Sequence, residues 1–152
     1  MKYLCILLLL ISVSGMNALD GAFIGVGPEL NADTREGVAL GGAFQAGIDF
    51  TQPFALGLKA GFFNNFDTVT ALEMLSIFRY YFPSKFRGPF VQTELGAVIF
   101  YEFNKPYPAF MGGLALGWRV NLGRIMYIEP SVKGGYPFAW GVGLMIGPRF
   151  ES

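Results

Sequence analysis

The residues of this chain that could do chemistry are acids and bases placed at alternate positions of apolar segments. The 152 residues contain no histidine, and the single cysteine, Cys5, lies in an apolar run at the start of the chain. Nucleophilic catalysis with a histidine base and Cys/His metal sites are therefore excluded. What remains is carboxylate chemistry: either an acid–base pair, or ion pairs with lysine and arginine.

The charged residues that share one face of their segments number five acids and five bases. They are Asp49, Lys59, Glu73, Arg79, Glu94, Glu102, Arg119, Glu129, Lys133 and Arg149. Because bases are available to the acids on the same face, we interpret this set as an ion-pair network inside a lumen. The sequence accordingly predicts no enzyme activity, no catalytic residue, no cofactor and no metal site.

Eight segments of about ten to fourteen residues must position these side chains, and turn residues separate the segments. The segments are 22–30, 38–50, 54–63, 70–82, 90–103, 109–122, 125–136 and 138–150. Several of them alternate with the period of a strand: Leu56 and Leu58 oppose Lys59, for example. The alternation is unclear in 22–30 and 90–103, where a bulge would restore it. We place Gln92 and Glu94 on the inner face.

The distribution of charge over the two faces is the opposite of that in a soluble barrel. The apolar faces carry no charged residue; the remaining charges fall in turns, at the termini or, for Glu29, at the end of a strand. A lysine or arginine facing lipid costs about 2–4 kcal/mol at the membrane midplane. Thirteen tilted residues reach roughly 30 Å, enough to cross the apolar band. The sequence therefore predicts an all-β, eight-stranded antiparallel up-and-down transmembrane β-barrel. A soluble, exported, lipocalin-like binding barrel is the alternative.

The first 18 residues have the pattern of a cleavable signal peptide. Lys2 precedes an apolar run from Leu4 to Val13 that is too short to cross a bilayer as a helix, and small residues lead to Ala18. We therefore divide the chain into a signal peptide, 1–18, and a barrel, 19–152. The barrel has no cysteine and must be stable without disulfides.

The segment FAWGVGLMIGPRF near the C-terminus alternates large and small residues. Its large apolar positions are Phe138, Trp140, Val142, Leu144, Ile146 and Phe150. The pattern resembles the C-terminal strand of bacterial outer-membrane proteins, and the whole chain resembles the small eight-stranded barrels of the OmpA, OmpX and OmpW type. The resemblance implies export to a bacterial cell outer membrane, contact with its lipid, and recognition of this strand by the barrel-assembly machinery. Pro148 departs from the pattern, and we expect pairing to end or bulge there.

The function that this pattern predicts is structural or surface-related. An eight-stranded barrel is barely wide enough for its own side chains, so ten charged groups predict a lumen plugged by ion pairs. A narrow channel or a carrier for small solutes or hydrophobic molecules is the alternative. Adhesion ranks lower because the predicted outer loops are short. Eleven basic and eleven acidic residues give a net charge of zero, which provides no basic surface for nucleic acid.

Overall fold

A computed structural model describes residues 20–33, 37–51, 53–66, 69–82, 87–102 and 105–151. The predicted signal peptide, 1–18, lies outside the described residues. Among those residues there is no helix of the length and apolarity needed to cross a membrane.

Eight antiparallel strands form one closed barrel, in which each strand pairs with its neighbours in the sequence and β1 pairs with β8. The strands are β1 (Gly21–Asp33), β2 (Gly37–Thr51), β3 (Phe54–Asn64), β4 (Val69–Tyr81), β5 (Gly88–Glu102), β6 (Lys105–Leu122), β7 (Met126–Tyr136) and β8 (Trp140–Glu151). The predicted all-β, eight-stranded antiparallel barrel is confirmed, and its segments agree with these strands apart from a few residues at the ends.

The barrel has two ends that differ in what they carry. We call the end with residues 20 and 151 and the turns after β2, β4 and β6 the lower end, and the opposite end the upper end. Cross-strand pairs keep side chains of one kind on one face: Gln45 lies opposite Lys59 inside, and Phe44 lies opposite Ala60 outside. Because side chains alternate with a period of two, this register sends the polar set of every strand into the lumen.

The bulges considered for the first and fifth segments do not occur. The register of β1 with β2 is unbroken along the strand, and β5 pairs without a shift on both sides. Instead, Phe23 and Val98 point into the lumen and expose 1% and 0% of their surface. The irregular alternation therefore reflects two apolar cores inside the lumen. The lower core contains Phe23, Ala55, Ile77, Tyr81, Phe90 and Tyr127, and the upper core contains Phe63, Ala71, Leu75, Val98, Met111 and Phe138.

Strand β6 begins four residues earlier than predicted, within the sequence that we assigned to a loop. It pairs with β5 from Glu102↔Lys105 onward, whereas its pairing with β7 begins only at Gly112↔Tyr136. One edge of its first residues is therefore open. Pro106 and Pro108 fit there because a proline on an edge strand removes no ladder hydrogen bond, and such prolines protect the edge from unwanted pairing.

At the seam between β1 and β8 the backbones of the two closing strands approach each other closely. Their pairing keeps one register from Gly21↔Glu151 to Ala32↔Trp140 but skips the positions of Pro28 and Pro148, which have no N–H to donate. Pairing with β7 ends at Met126↔Pro148, as expected. Pairing with β1 is interrupted at Gly147 and Pro148 and resumes at Phe23↔Arg149 in the same register, so there is no bulge.

Glycine makes this close approach possible. A Cβ at Gly27 would overlap the carbonyl oxygen of Leu144, and a Cβ at Gly147 would overlap that of Ile24. Since each overlap is with backbone, a larger residue there must push the two closing strands apart.

We expect Gly27→Ala to lower the free energy of unfolding by about 1–3 kcal/mol, because the methyl group forces the β1–β8 seam open. Urea unfolding of the refolded protein measures it. Gly42→Ala is the matched control, since a Cβ there meets nothing closer than 3.8 Å. Equal stability of the two variants would contradict the seam's dependence on this glycine.

Candidate functional site in the barrel lumen

Nine of the ten charged residues predicted to line the lumen point into it. Eight of them expose at most 7% of their surface, namely Asp49, Lys59, Glu73, Arg79, Glu94, Arg119, Glu129 and Arg149. The side chain of Lys133 exposes 9%. These nine residues therefore meet in one enclosed space, although they come from seven strands.

Glu102 is the exception, and its assignment to the network is wrong. It lies at the end of β5, opposite Val69 and Lys105, and it is exposed. The pairing of β5 with β6 continues past the point where β6 leaves β7. The last inward position of β5 therefore faces water.

Glu29 belongs to the lumen although we had placed it at a strand end. Strand β1 continues to Asp33, so Glu29 is an interior position and exposes only 3% of its surface. The alternation Phe23, Gly25, Gly27, Glu29 already contained this signal, since all four residues share one face.

Five charged residues form what we call the upper cluster: Glu29, Glu73, Glu94, Lys59 and Lys133. Lys59 Nζ lies 2.7 Å from Glu29 Oε2, 3.3 Å from Glu94 Oε1 and 3.6 Å from Glu73 Oε1. Lys133 Nζ contacts Glu29 Oε1 directly and lies 3.7 Å from Glu73 Oε2 and 3.9 Å from Glu94 Oε2. Each ammonium group is thus surrounded by the same three carboxylates.

The other five form the lower cluster: Asp49, Arg79, Arg119, Glu129 and Arg149. Arg79 Nη1 donates to Glu129 Oε1 at 2.7 Å, and Arg119 Nε donates to the same oxygen. Asp49 Oδ2 lies 3.6 Å from Arg149 Nε and 3.8 Å from Arg119 Nη1. One carboxylate oxygen of Glu129 therefore joins two guanidinium groups.

Two glutamines connect these charges into one network. Gln92 Oε1 accepts from Arg79 Nε and Nη2 at 2.9 and 2.6 Å, and its Nε2 donates to Glu94 Oε1 at 2.7 Å. Gln45 Nε2 donates to Glu129 Oε2 at 2.9 Å. An amide can donate and accept at once, so Gln92 links the lower cluster to the upper one without adding charge.

Aromatic rings enclose the guanidinium groups from the sides. Arg79 Cζ lies 4.1 Å from the centroid of the Phe90 ring, and Arg119 Cζ lies 4.5 and 4.4 Å from those of Phe23 and Tyr127. A planar guanidinium over a ring gains a cation–π attraction, which is stronger when the site is dry. The lower core therefore solvates the arginines in place of water.

Phe138 was predicted to face outward with the rest of the last segment, and this is wrong. It lies in the turn before β8, exposes 6% of its surface, and packs inside with ring centroids 6.2 Å from Phe63 and 5.9 Å from Phe100. The alternation starts only where β8 does, at Trp140. The remaining outward positions, which are Trp140, Val142, Leu144, Ile146 and Phe150, expose 41–53% of their surfaces.

Two small cavities lie among the described residues in the upper half of the lumen. One of about 10 Å³ lies beside Glu94 and Lys133, and one of about 20 Å³ is lined by Phe63, Phe100 and Phe138. A water molecule needs roughly 10–15 Å³ by this measure. The described residues hold no group of three or more His, Cys, Asp or Glu placed to bind a metal ion.

We expect Glu129→Gln to lower the free energy of unfolding by about 3–5 kcal/mol, because it leaves two buried guanidinium groups without their shared carboxylate. Urea unfolding measures the loss. Arg124→Ala, at an exposed position of the β6–β7 turn, is the control and should change stability by no more than about 0.5 kcal/mol. A Glu129→Gln barrel as stable as the control would show that the network does not hold the lumen together.

The fold is similar to that of solved outer-membrane barrels. The N-terminal β-barrel domain of OprF from Pseudomonas aeruginosa superposes with a TM-score of 0.67 at 18% identity, covering 87% of this chain and 98% of that one. Neisserial surface protein A superposes with a TM-score of 0.61 at 11% identity, covering 88% and 97%. No family model and no curated protein matches the sequence. The likeness shows the fold, and it bears out the predicted resemblance in architecture.

Proposed function

We propose that this chain is an integral protein of a bacterial outer membrane, non-enzymatic, with a structural or surface role and a lumen closed by ion pairs. The observation that carries the proposal is the inverted barrel: paired charges are buried inside and large apolar side chains are exposed outside. The fold shared with the N-terminal domain of OprF and with Neisserial surface protein A supports the same conclusion.

The outer surface is apolar across the middle of the strands. Leu58, Met74 and Phe110 expose 66%, 75% and 64% of their surfaces, and similar residues cover all eight strands. Monomeric soluble proteins seldom expose an apolar patch beyond a few hundred Å², and a belt around a whole barrel is far larger. Lipid acyl chains are the solvent that suits such a belt.

Aromatic residues stand on the outer face near both ends of the barrel. Near the lower end, Phe54 packs on Phe78 and Tyr80, with ring centroids 5.6 and 5.3 Å apart. Near the upper end, Tyr136 and Trp140 expose 64% and 51% of their surfaces. Aromatic side chains at these two levels are typical of the interfaces between membrane and water. We place the lower end, with residues 20 and 151, in the periplasm.

The state of the lumen argues for a closed barrel and against an enzyme. Every lumen acid has a lysine or arginine nitrogen within 4.0 Å. The upper core covers the network toward the upper end of the barrel, and the lower core surrounds the arginines. A carboxylate held in this way neither reaches a substrate nor leaves a path for a solute. The narrow channel or carrier is therefore the less favoured function.

Bilayer recording tests the closed lumen. Refolded protein should insert without discrete openings at low voltage, and Arg79→Ala/Arg119→Ala should conduct, because both guanidinium groups that cross the lower lumen are gone. Each preparation is first checked for a shift in gel mobility on heating, which reports a folded barrel, and Arg124→Ala serves as the control. Discrete openings of the unchanged protein would instead favour the channel.

The partners that we propose are outer-membrane lipid and the barrel-assembly machinery, which would read the outward residues of β8. Phe150→Ala should then lower the fraction of protein that reaches the membrane folded, measured by fractionation and heat-modifiable migration. Phe110→Ala removes an equally outward phenylalanine from β6 and is the control. Equal loss in both variants would mean that β8 holds no special signal. Recovery of the unchanged protein from the soluble fraction would contradict the membrane proposal.

A further inference from the structure

The upper cluster contains more acids than bases. Its three carboxylates, Glu29, Glu73 and Glu94, come from β1, β4 and β5, and they face two ammonium groups, Lys59 of β3 and Lys133 of β7. All three acids expose 3% of their surface or less. With every group ionised, this enclosed cluster would carry a formal charge of −1.

The arginines of the lower cluster have carboxylates of their own. Arg79 and Arg119 bind Glu129, and Arg149 Nε lies 3.6 Å from Asp49 Oδ2. Arg149 is six residues along β8 from Gly143, the residue that lies opposite Glu29. Six residues of a strand span roughly 20 Å. Burying an uncompensated charge in a dry interior is costly, and a carboxylate there takes up a proton instead.

The hydrogen bonds distinguish one of the three acids from the others. Glu29 accepts from Asn31 Nδ2 at 3.3 Å and lies 2.7 Å from Lys59 Nζ. Glu94 accepts from Lys59 Nζ at 3.3 Å and from Gln92 Nε2 at 2.7 Å. Among the described residues, neither oxygen of Glu73 has a hydrogen-bond partner, and its nearest ammonium nitrogens stand 3.6 and 3.7 Å away.

We propose that Glu73 is a proton-binding site, and that the folded barrel holds this side chain as a neutral carboxylic acid at neutral pH. The proton balances the upper cluster, while the two directly bonded carboxylates stay ionised against Lys59 and Lys133. The proposal depends on the closed lumen and not on the membrane around it. It can therefore fail or succeed independently of the proposed location.

Infrared spectroscopy of the folded protein in deuterated buffer at neutral pH tests the site directly. The unchanged protein should show the carbonyl stretch of a protonated carboxylic acid, and Glu73→Gln should lose it. Glu102→Gln, which changes an exposed carboxylate, is the control and should keep the band. Absence of the band in the unchanged protein, or its persistence in Glu73→Gln, would overturn the proposal.

Stability supplies a second readout that does not depend on the spectrum. Glutamine has nearly the shape of a neutral glutamic acid, so Glu73→Gln should keep the urea midpoint of the unchanged protein. Glu129→Gln makes the same chemical change at an ionised, directly bonded carboxylate, and its midpoint should fall. A Glu73→Gln variant that does not fold, or that loses as much as Glu129→Gln, would show that Glu73 acts as a carboxylate.

Discussion

Charges inside this barrel must be neutralised within the lumen, because the lumen is too narrow to hydrate them. An eight-stranded barrel encloses little more than its own side chains. Arg79 and Arg119 therefore converge on one oxygen of Glu129, and Gln92 carries the hydrogen-bonded network upward to Glu94. Removing Glu129 leaves two buried guanidinium groups without their shared carboxylate. The network is for this reason sensitive to the exact position of every strand that contributes to it.

The need to pair the lumen charges also determines which residues face outward. Side chains alternate along a strand, so the register that brings Lys59 to Glu94 also turns Leu58 and Leu95 outward. A slip of one residue would exchange the faces of a strand, exposing its charge to lipid and pushing its apolar residues into the lumen. The ion pairs and the apolar belt are thus two consequences of one register. Glycines such as Gly27 contribute by letting the closing strands approach.

Period-two alternation in strands such as β3 and β4 was enough to predict the barrel and the inward direction of nine of the ten charged residues. The wrong predictions concern positions where alternation no longer indicates which way a side chain faces. Glu102 and Phe138 lie at or beyond strand ends. There, the distance that the neighbouring strands extend decides whether a side chain meets water or the lumen. Pro106 was assigned to a loop because a proline is accepted in β6 only where one edge of the strand is unpaired. That open edge follows from the late start of the β6–β7 pairing, which the sequence does not show. The choice of partners, such as Arg79 with Glu129, joins strands far apart in the sequence and has no local signal.

The outer face of this barrel meets lipid if the barrel spans a membrane, and the only two tryptophans of the chain are placed to test it. Trp118 lies toward the lower end and Trp140 toward the upper end, and both are outward and half-exposed. Tryptophan fluorescence of the protein in bilayers with brominated acyl chains should be strongly quenched. In Trp118→Phe and in Trp140→Phe, the one remaining tryptophan should still be quenched. Fluorescence unchanged by brominated lipid, in protein shown to be folded, would show that the outer face does not meet lipid.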